Sequence, residues 1–523
     1  MIQGVTLLTH TSKRKEVPYI MKKPFKKQLI KFLKSKKLGF ILAAVQFVIT
    51  AMLLGILIYL NMIPAKYFFP VTGVLLLLII YIIFTQHSKK FRTFGKILSL
   101  IFSVLFAIAT GMLFRANGVL DSITGADKKT DIISVYVMAS DPAESLADAA
   151  TYNFGILSSL DRENTDKTIT DINNDLGTSI TVTEFSDTQS LAEALYSGNI
   201  QSMILNEAFV STIEDIQNGD GSYPYMYFTT DTKKLSSKKI ITQIDRDTST
   251  NVVKEPFMIY LSGIDVAGSI STTSRSDVNI IAVVNPVTYQ ILLLSTPRDY
   301  YVPTTVSGGV RDKLTHAGRY GVDCSMGTLD MLYDININYY FKVNFTGFTE
   351  VIDALGGITV HSDYDFVTTH GGDHITVGDN YLNGKEALGF ARERYAFADG
   401  DRQRGRNQMA VITAVINKMA SSAILNNYSG LMSGLEGSFE TSLSAGDISS
   451  LVKLQLDKMP SWNVVSYSVN GPGDHQTTYS APRFKAWVMQ PNETYIQNAK
   501  VLIDQVMRGE IINTDVLQDA PNY

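Results

Sequence analysis

Residues 275–299 read RSDVNIIAVVNPVTYQILLLSTPRD. Two apolar runs, Asn279–Val284 and Tyr289–Thr296, flank NPVT, whose composition is that of a tight turn, so the segment is expected to fold as an antiparallel hairpin. Antiparallel pairing brings the residues just before the first strand beside those just after the second. Arg275 and Asp277 therefore come beside Thr296, Arg298 and Asp299, and two Arg-Asp pairs meet at one end of a buried sheet. Bridges at a rim contribute only ~0–1 kcal/mol each, so stability alone is a weak reason for them. No serine or histidine placed as a nucleophile accompanies them.

Outward from the hairpin, strands and helices alternate from FMIYLSGID at Phe257 to the C-terminus. A helix is expected near Cys324–Tyr333, a strand at Tyr339–Val343 and a helix at Thr346–Leu355 closed by Gly356 and Gly357. ITVHSDYDFV returns as a strand. Helices around Gly384–Ala391 and Asp401–Met419 follow, then a last strand and helix near Trp487 and Asn498–Met507. The fold class is α/β: a layered domain over 257–523 with a central mixed sheet. A smaller α/β unit over 131–230 precedes it, read as strand 132–140, helix 144–160, strand 179–185, helix 190–198 and strand 201–207. It is expected to be an accessory module. Residues 231–256 read as a polar, lysine-bearing connector.

The net charge of -4 conceals an asymmetry: residues 1–115 carry 17 Lys or Arg against Glu16 alone, leaving the remainder at -20. An acidic body of that size repels a phosphate backbone, which argues against nucleic acid as a partner. Three apolar stretches, Leu38–Leu60, Tyr67–Phe84 and Ile97–Phe114, are each near the ~20 residues a helix needs to cross a bilayer. Lysines crowd before the first and between the second and third, while only Lys66 lies between the first and second. The positive-inside rule then makes the basic segment 1–37 cytoplasmic, 38–115 a three-span membrane anchor, 116–130 a linker, and everything beyond extracytoplasmic. Met21 is as good a start as Met1. With Cys324 the only cysteine, no intrachain disulfide or thiolate metal cluster is possible.

Within DGDRQRGRNQMAVITAVINKM, Asp401, Arg404 and Gln408 share one helical face, which continues through Val411, Ile412, Val415 and Met419. Arg402 and Arg406 point elsewhere, towards solvent. Upstream, FARERY places Arg392 and Arg394 at i and i+2, on one side of an extended chain with Glu393 opposite. Arg275, Arg298, Arg392, Arg394 and Arg404 are thus expected to converge. Five guanidinium forks on an acidic body call for a highly charged ligand such as a pyrophosphate. Beside phosphate oxygens, Asp277 and Asp299 are the kind of paired carboxylates that hold magnesium.

The ordered set GID (263–265), SRSD (274–277), TPRD (296–299), KLTHA (313–317), RERY (392–395) and DRQRGRNQ (401–408) resembles the LytR-CpsA-Psr family, in its capsule-associated branch with three spans and an accessory domain. The resemblance implies an extracytoplasmic phosphotransferase that moves a glycan, such as capsular polysaccharide, from undecaprenyl pyrophosphate to a peptidoglycan hydroxyl, with Mg2+ as cofactor. It implies phosphate contacts from Arg275, Arg298, Lys313, Arg392, Arg394, Arg404 and Gln408, magnesium on Asp277 and Asp299, and a lipid in a hydrophobic cavity behind them. Asp401 is expected either to orient Arg404 or to take the proton of the acceptor hydroxyl. The implied partners are the lipid-linked glycan, peptidoglycan, the membrane and other capsule assembly proteins. Two further readings use the same arginines, a glycan-sensing regulator and a pyrophosphate hydrolase. THGGDH (369–374) reads as a hairpin tip rather than a metal site, and His316 and Cys324 as packed residues.

Overall fold

A computed structural model describes residues 32, 34–125, 128–218, 221–244, 249–264, 270, 273–421 and 437–520. Much of the basic segment 1–37 and Asp265 of GID lie outside the described residues. The chain divides into two compact units, one made of residues up to Tyr59 with Ala65–Phe114, the other of Leu60–Pro64 with Arg115–Tyr523.

Helices α1 (Lys36–Leu60), α2 (Ala65–Thr85) and α3 (Arg92–Ile123) are each long and apolar enough to cross a membrane, and the first unit holds them apart from Leu60 and the end of α3 from Arg115 on. The third runs on through residues read as the start of a linker, because GVLDSI continues the helical pattern and buries Val119, Leu120 and Ile123.

In the second unit, the accessory module is a five-stranded sheet of β1 (Lys128–Met138), β2 (Asn153–Leu157), β3 (Thr181–Phe185), β4 (Ser202–Asn206) and β5 (Thr232–Gln243), in the order β3-β2-β4-β1-β5. Helices α4 (Arg162–Leu176), α5 (Thr188–Tyr196) and the one-turn α6 (Val210–Glu214) pack with it. Two local readings are corrected here. The expected helix at 144–160 does not form; its second half is β2, lying between β3 and β4 with Phe154 and Ile156 fully buried. The helix forms after it, in a polar segment whose i,i+4 pairs Arg162–Asp166 and Glu163–Lys167 and left-handed Gly177 cap substitute for a strong apolar stripe. Part of the supposed connector is β5, an antiparallel edge strand on β1.

The larger α/β domain has a six-stranded mixed sheet at its centre. Strands β6 (Phe257–Ile264), β7 (Ser276–Asn285), β8 (Gln290–Ser295), β9 (Tyr339–Asn344), β10 (Phe439–Thr441) and β11 (Asn463–Ser468) take the order β10-β9-β6-β7-β8-β11. The hairpin β7–β8 is antiparallel in the register Ile280↔Ser295, while β9 on β6 and β11 on β8 are parallel. Its turn is closed by Asn285, whose Oδ1 accepts from the backbone of Val287 (3.0 Å) and Thr288 (3.1 Å), with Tyr289 left-handed at φ 55°. Period-two alternation splits the hairpin between two cores. Ile281, Val283, Leu292 and Leu294 pack with helices α7 (Val322–Tyr333) and α12 (Glu493–Met507). Ile280, Ala282, Ile291 and Leu293 face Met409 of α10 (Asp401–Ala420) and α11 (Ala445–Lys458). A third core joins α8 (Phe345–Ala354), α9 (Gly384–Arg392) and part of α10. Both β11 and α11 are absent from the sequence reading, since NVVSYS is short and α11 is polar and only partly buried.

Candidate active site

The hairpin delivers its charged residues where β8 ends. The Thr296 amide donates to Asn279 O (2.9 Å), after which the chain turns and the Arg298 carbonyl accepts from the Thr315 amide (2.8 Å). Arg298 Nη1 lies 2.8 Å from Asp277 Oδ2, and its Nε 3.7 Å from Asp299 Oδ2. Lys313 Nζ lies 2.9 Å from Asp299 Oδ1, and Thr315 Oγ1 donates to Asp277 Oδ1 at 3.4 Å. The four charged side chains keep only 15–20% of their surface exposed. Burial opposes the charge on Arg298, but Asp277, Asp299 and Asp401 more than offset it and hold the guanidinium above its ordinary pKa. Burial likewise raises the Asp299 carboxyl, and Lys313 with Arg298 outweighs it, so Asp299 stays below the usual carboxylate range. The result is a mostly buried cluster of alternating charge.

The first turns of α10 come up against the same place. At Gly405 a Cβ would sit 3.4 Å from Ser295 Oγ, so helix and strand end touch. Asp401 pairs with Arg404 at 2.7 Å, and the Asp401 charge reaches Arg298. Gln408 is half-buried one turn beyond Arg404. Two expectations for this helix are corrected. The Arg404 stripe is buried at Val411 and nearly so at Arg404, whose side chain is 12% exposed, but Met419 at its end is 49% exposed, and the helix also buries a neighbouring face of Gln403, Asn407 and Ala414. The polar start of that face is satisfied internally: Gln403 Nε2 donates to Asn407 Oδ1 (2.9 Å), and Asn407 Nδ2 to Phe390 O (3.1 Å). Arg402 is half-buried rather than solvated, its Nη2 donating to Gly471 O at 3.4 Å, whereas exposed Arg406 pairs with Asp399.

The RERY arginines stand differently from the extended reading. Arg392 is the last residue of α9 and stacks on Phe345, 4.2 Å from the ring centre. Arg394 is exposed, lies over the Tyr395 ring and donates to its hydroxyl at 2.5 Å. Between them Glu393 is buried, and its carboxylate accepts from the amides of Thr369, Arg394, Tyr395 and Ala396. Burial pushes this carboxyl up and those amides pull it further down, leaving it ionised. Glu393 is thus the pin that fixes the turn between the arginines and α10. The Arg-Glu-Arg alternation places it on the opposite side, but nothing in the pattern shows what it grips. Arg275 turns to the accessory module, its Nη1 2.6 Å from Asp215 Oδ2. Among the described residues, contacts therefore unite Arg298, Asp277, Asp299 and Lys313, with Asp401 and Arg404 alongside. Arg275, Arg392 and Arg394 make no ion pair with that group.

For magnesium the donors fit in kind. Asp277 and Asp299 share one guanidinium, hence face one centre, and Asp277 Oδ1 meets no cation, only the long Thr315 contact. An ion of this type needs one or two carboxylates and takes its other ligands from water and phosphate oxygens.

The class is that of an α/β domain with arginine-carboxylate pairs at one end of its central sheet, on a chain with three apolar N-terminal helices. Residues 223–494 match the model of the LytR_cpsA_psr family, and the chain belongs to that family. A Bacillus cereus relative, "Polyisoprenyl-teichoic acid--peptidoglycan teichoic acid transferase TagU", is 34% identical over 232 residues, 43% of this chain and 75% of that protein. An Enterococcus faecalis protein of the same name is 35% identical over 207 residues, 39% of this chain and 66% of the relative. Among solved structures, B. subtilis TagV aligns with a TM-score of 0.42 at 25% identity, covering 49% of this chain and 98% of that one. "TagT bound to LI-WTA" aligns with 0.40 at 28%, covering 50% and 95%.

Proposed function

We propose that the protein transfers a glycopolymer, with its proximal phosphate, from a polyprenyl pyrophosphate carrier to a hydroxyl of peptidoglycan. The carrying observation is Arg298 held between Asp277 and Asp299 at the mouth of a buried hairpin, next to the Asp401–Arg404 start of α10. Phosphoryl transfer needs positioning and neutralisation of negative oxygens, which such a cluster supplies without a covalent nucleophile. The acceptor oxygen attacks the phosphorus next to the glycan, the bridging P–O bond breaks, and polyprenyl phosphate leaves with the electron pair. Asp401, whose side chain at 29% exposure is more open than those of Asp277 and Asp299, receives the hydroxyl proton. Arg298, Arg404 and Lys313 hold the phosphate oxygens, and Arg275, Arg392, Arg394 and Gln408 turn in when the donor arrives. Magnesium on Asp277 and Asp299 would supply further neutralisation of those oxygens.

The lipid fits the layer between the sheet and α10–α11. There Ile259, Leu261, Val278, Ile412, Ile448 and Leu451 are partly buried apolar residues packed against the core, and they are the proposed lining for the lipid. An undecaprenyl chain, a capsular polymer and an extracytoplasmic active site are the specific forms of the reading. They draw on the capsule-branch layout and the distribution of basic residues.

The test is release of polyprenyl phosphate from a lipid-linked glycan by the purified protein, with and without peptidoglycan. Transfer requires the acceptor; release that ignores it identifies a hydrolase, and no release under either condition identifies a binding protein.

A further inference from the structure

Two short stretches carry site residues and accessory-module contacts together. In Thr273–Asp277, Thr273 Oγ1 donates to Asp131 Oδ1 (3.2 Å), Arg275 meets Asp215 (2.6 Å) and Asp277 holds Arg298. In Lys313–Tyr320, Lys313 pairs with Asp299 and Thr315 donates to Asp277, while Arg319 Nη2 donates to Ser211 Oγ (3.4 Å) and the Tyr320 ring meets Phe209 edge-on at 5.4 Å. Phe209, Ser211 and Asp215 lie on one turn of the accessory module, at α6. That segment thus contacts both stretches.

Arg275 is the pivotal residue. The sequence pattern assigns it to a diphosphate, yet it stands on a carboxylate, which offers a guanidinium the same pair of oxygens that a phosphate does. Asp215 is 54% exposed and Arg275 24%, so solvent screens the pair and a more highly charged ligand displaces it readily. Behind Arg275 lies Arg319, only 1% exposed, with Nε and Nη1 lacking hydrogen-bond partners among the described residues. Burial first, and the like charge of Arg275 second, push the pKa of the Arg319 guanidinium down to about 10.

We propose that the accessory module gates the donor site: Asp215 occupies Arg275 in the free protein, and the donor's diphosphate takes that guanidinium over, releasing the turn Phe209–Asp215. The proposal rests on the reading of the Arg298 cluster as a diphosphate site. Coupling is reciprocal, so whatever holds the turn against Arg275 weakens the donor, and the donor loosens the turn.

Farnesyl diphosphate binding to the full-length protein in detergent tests this, with amide exchange followed over 207–216. Asp215→Asn is expected to tighten binding about 5-fold, the low end of typical coupling because the pair is solvent-exposed. The gain disappears in an Arg275→Ala background. The probe raises exchange of the turn in the wild type and adds nothing in Asp215→Asn. If Asp215→Asn leaves binding unchanged or weaker while Arg298→Ala abolishes it, the gate is wrong and the diphosphate site stands. If Arg298→Ala binds as well as the wild type, the site itself is wrong and the gate goes with it.

Discussion

At the scale of the residue, Arg298 does what no other cation in the cluster does: it touches two carboxylates from different strands' ends. Arg298→Lys retains the charge but loses the fork, and a single ammonium cannot serve Asp277, Asp299 and a phosphate together. Activity is expected to fall about 10²–10³-fold, the usual cost of one electrostatic donor, with the thermal unfolding midpoint nearly unchanged. Polyprenyl phosphate release and calorimetry check the two halves. Asp401→Asn separates the two roles of Asp401, because an amide oxygen still accepts from Arg404 but cannot take a proton. A fall of about 10²–10⁴-fold is expected for loss of a general base. Retention of most activity would reduce Asp401 to a positioning residue for Arg404.

At the scale of the element, the hairpin and the RERY turn fix the site from below and from the side. Leu293 is fully buried in the middle of β8, and Leu293→Ala is expected to cost about 3 kcal/mol in chemical unfolding through lost transfer energy and the cavity left behind. Glu393→Gln keeps the shape but loses the charge that gathers backbone amides of the turn. The expected effect is a rise in KM for the lipid-linked donor larger than the fall in kcat, because Arg392 and Arg394 lose their common anchor. An unchanged KM would show that the turn holds without it. Strands β6–β9 and the extent of α10 are legible from alternation and helical period alone, whereas the edge strands β10 and β11 are not. The helix at 144–160 is misread because Gly155 and the apolar residues around it fit either pattern locally. Only pairing of β2 between β3 and β4, where a Cβ at 155 would sit 2.3 Å from Ile200, decides for a strand.

At the scale of the whole molecule, stability and site share the KLTHAGRY segment. His316 is buried with its ring 2.6 Å from Asp312, and burial, reinforced by Arg319, pushes its pKa down to about 4 despite that carboxylate. The unfolded chain takes up this proton near pH 6.5 and the folded protein only near 4. Stability is thus complete above pH 6.5 and is lost as pH falls through that window, by at most roughly 3 kcal/mol. Denaturant midpoints between pH 7 and 4 are expected to decline, and His316→Gln to flatten that decline. An equally steep decline in the variant would place the acid sensitivity elsewhere.

Two periodicities and a charge count were enough to determine, from the sequence, the apolar N-terminal helices, the hairpin and the meeting of Arg298 with Asp277 and Asp299, because each follows from neighbours along one strand pair or one helix. Where Arg275, Arg392, Arg402 and Arg404 turn is another matter. A long guanidinium side chain on a given backbone reaches many places, and its direction is set by whichever carboxylate, ring or carbonyl the packed domains bring within range. Asp215 comes from another module and Gly471 from a loop far along the chain, so only the tertiary structure could choose them.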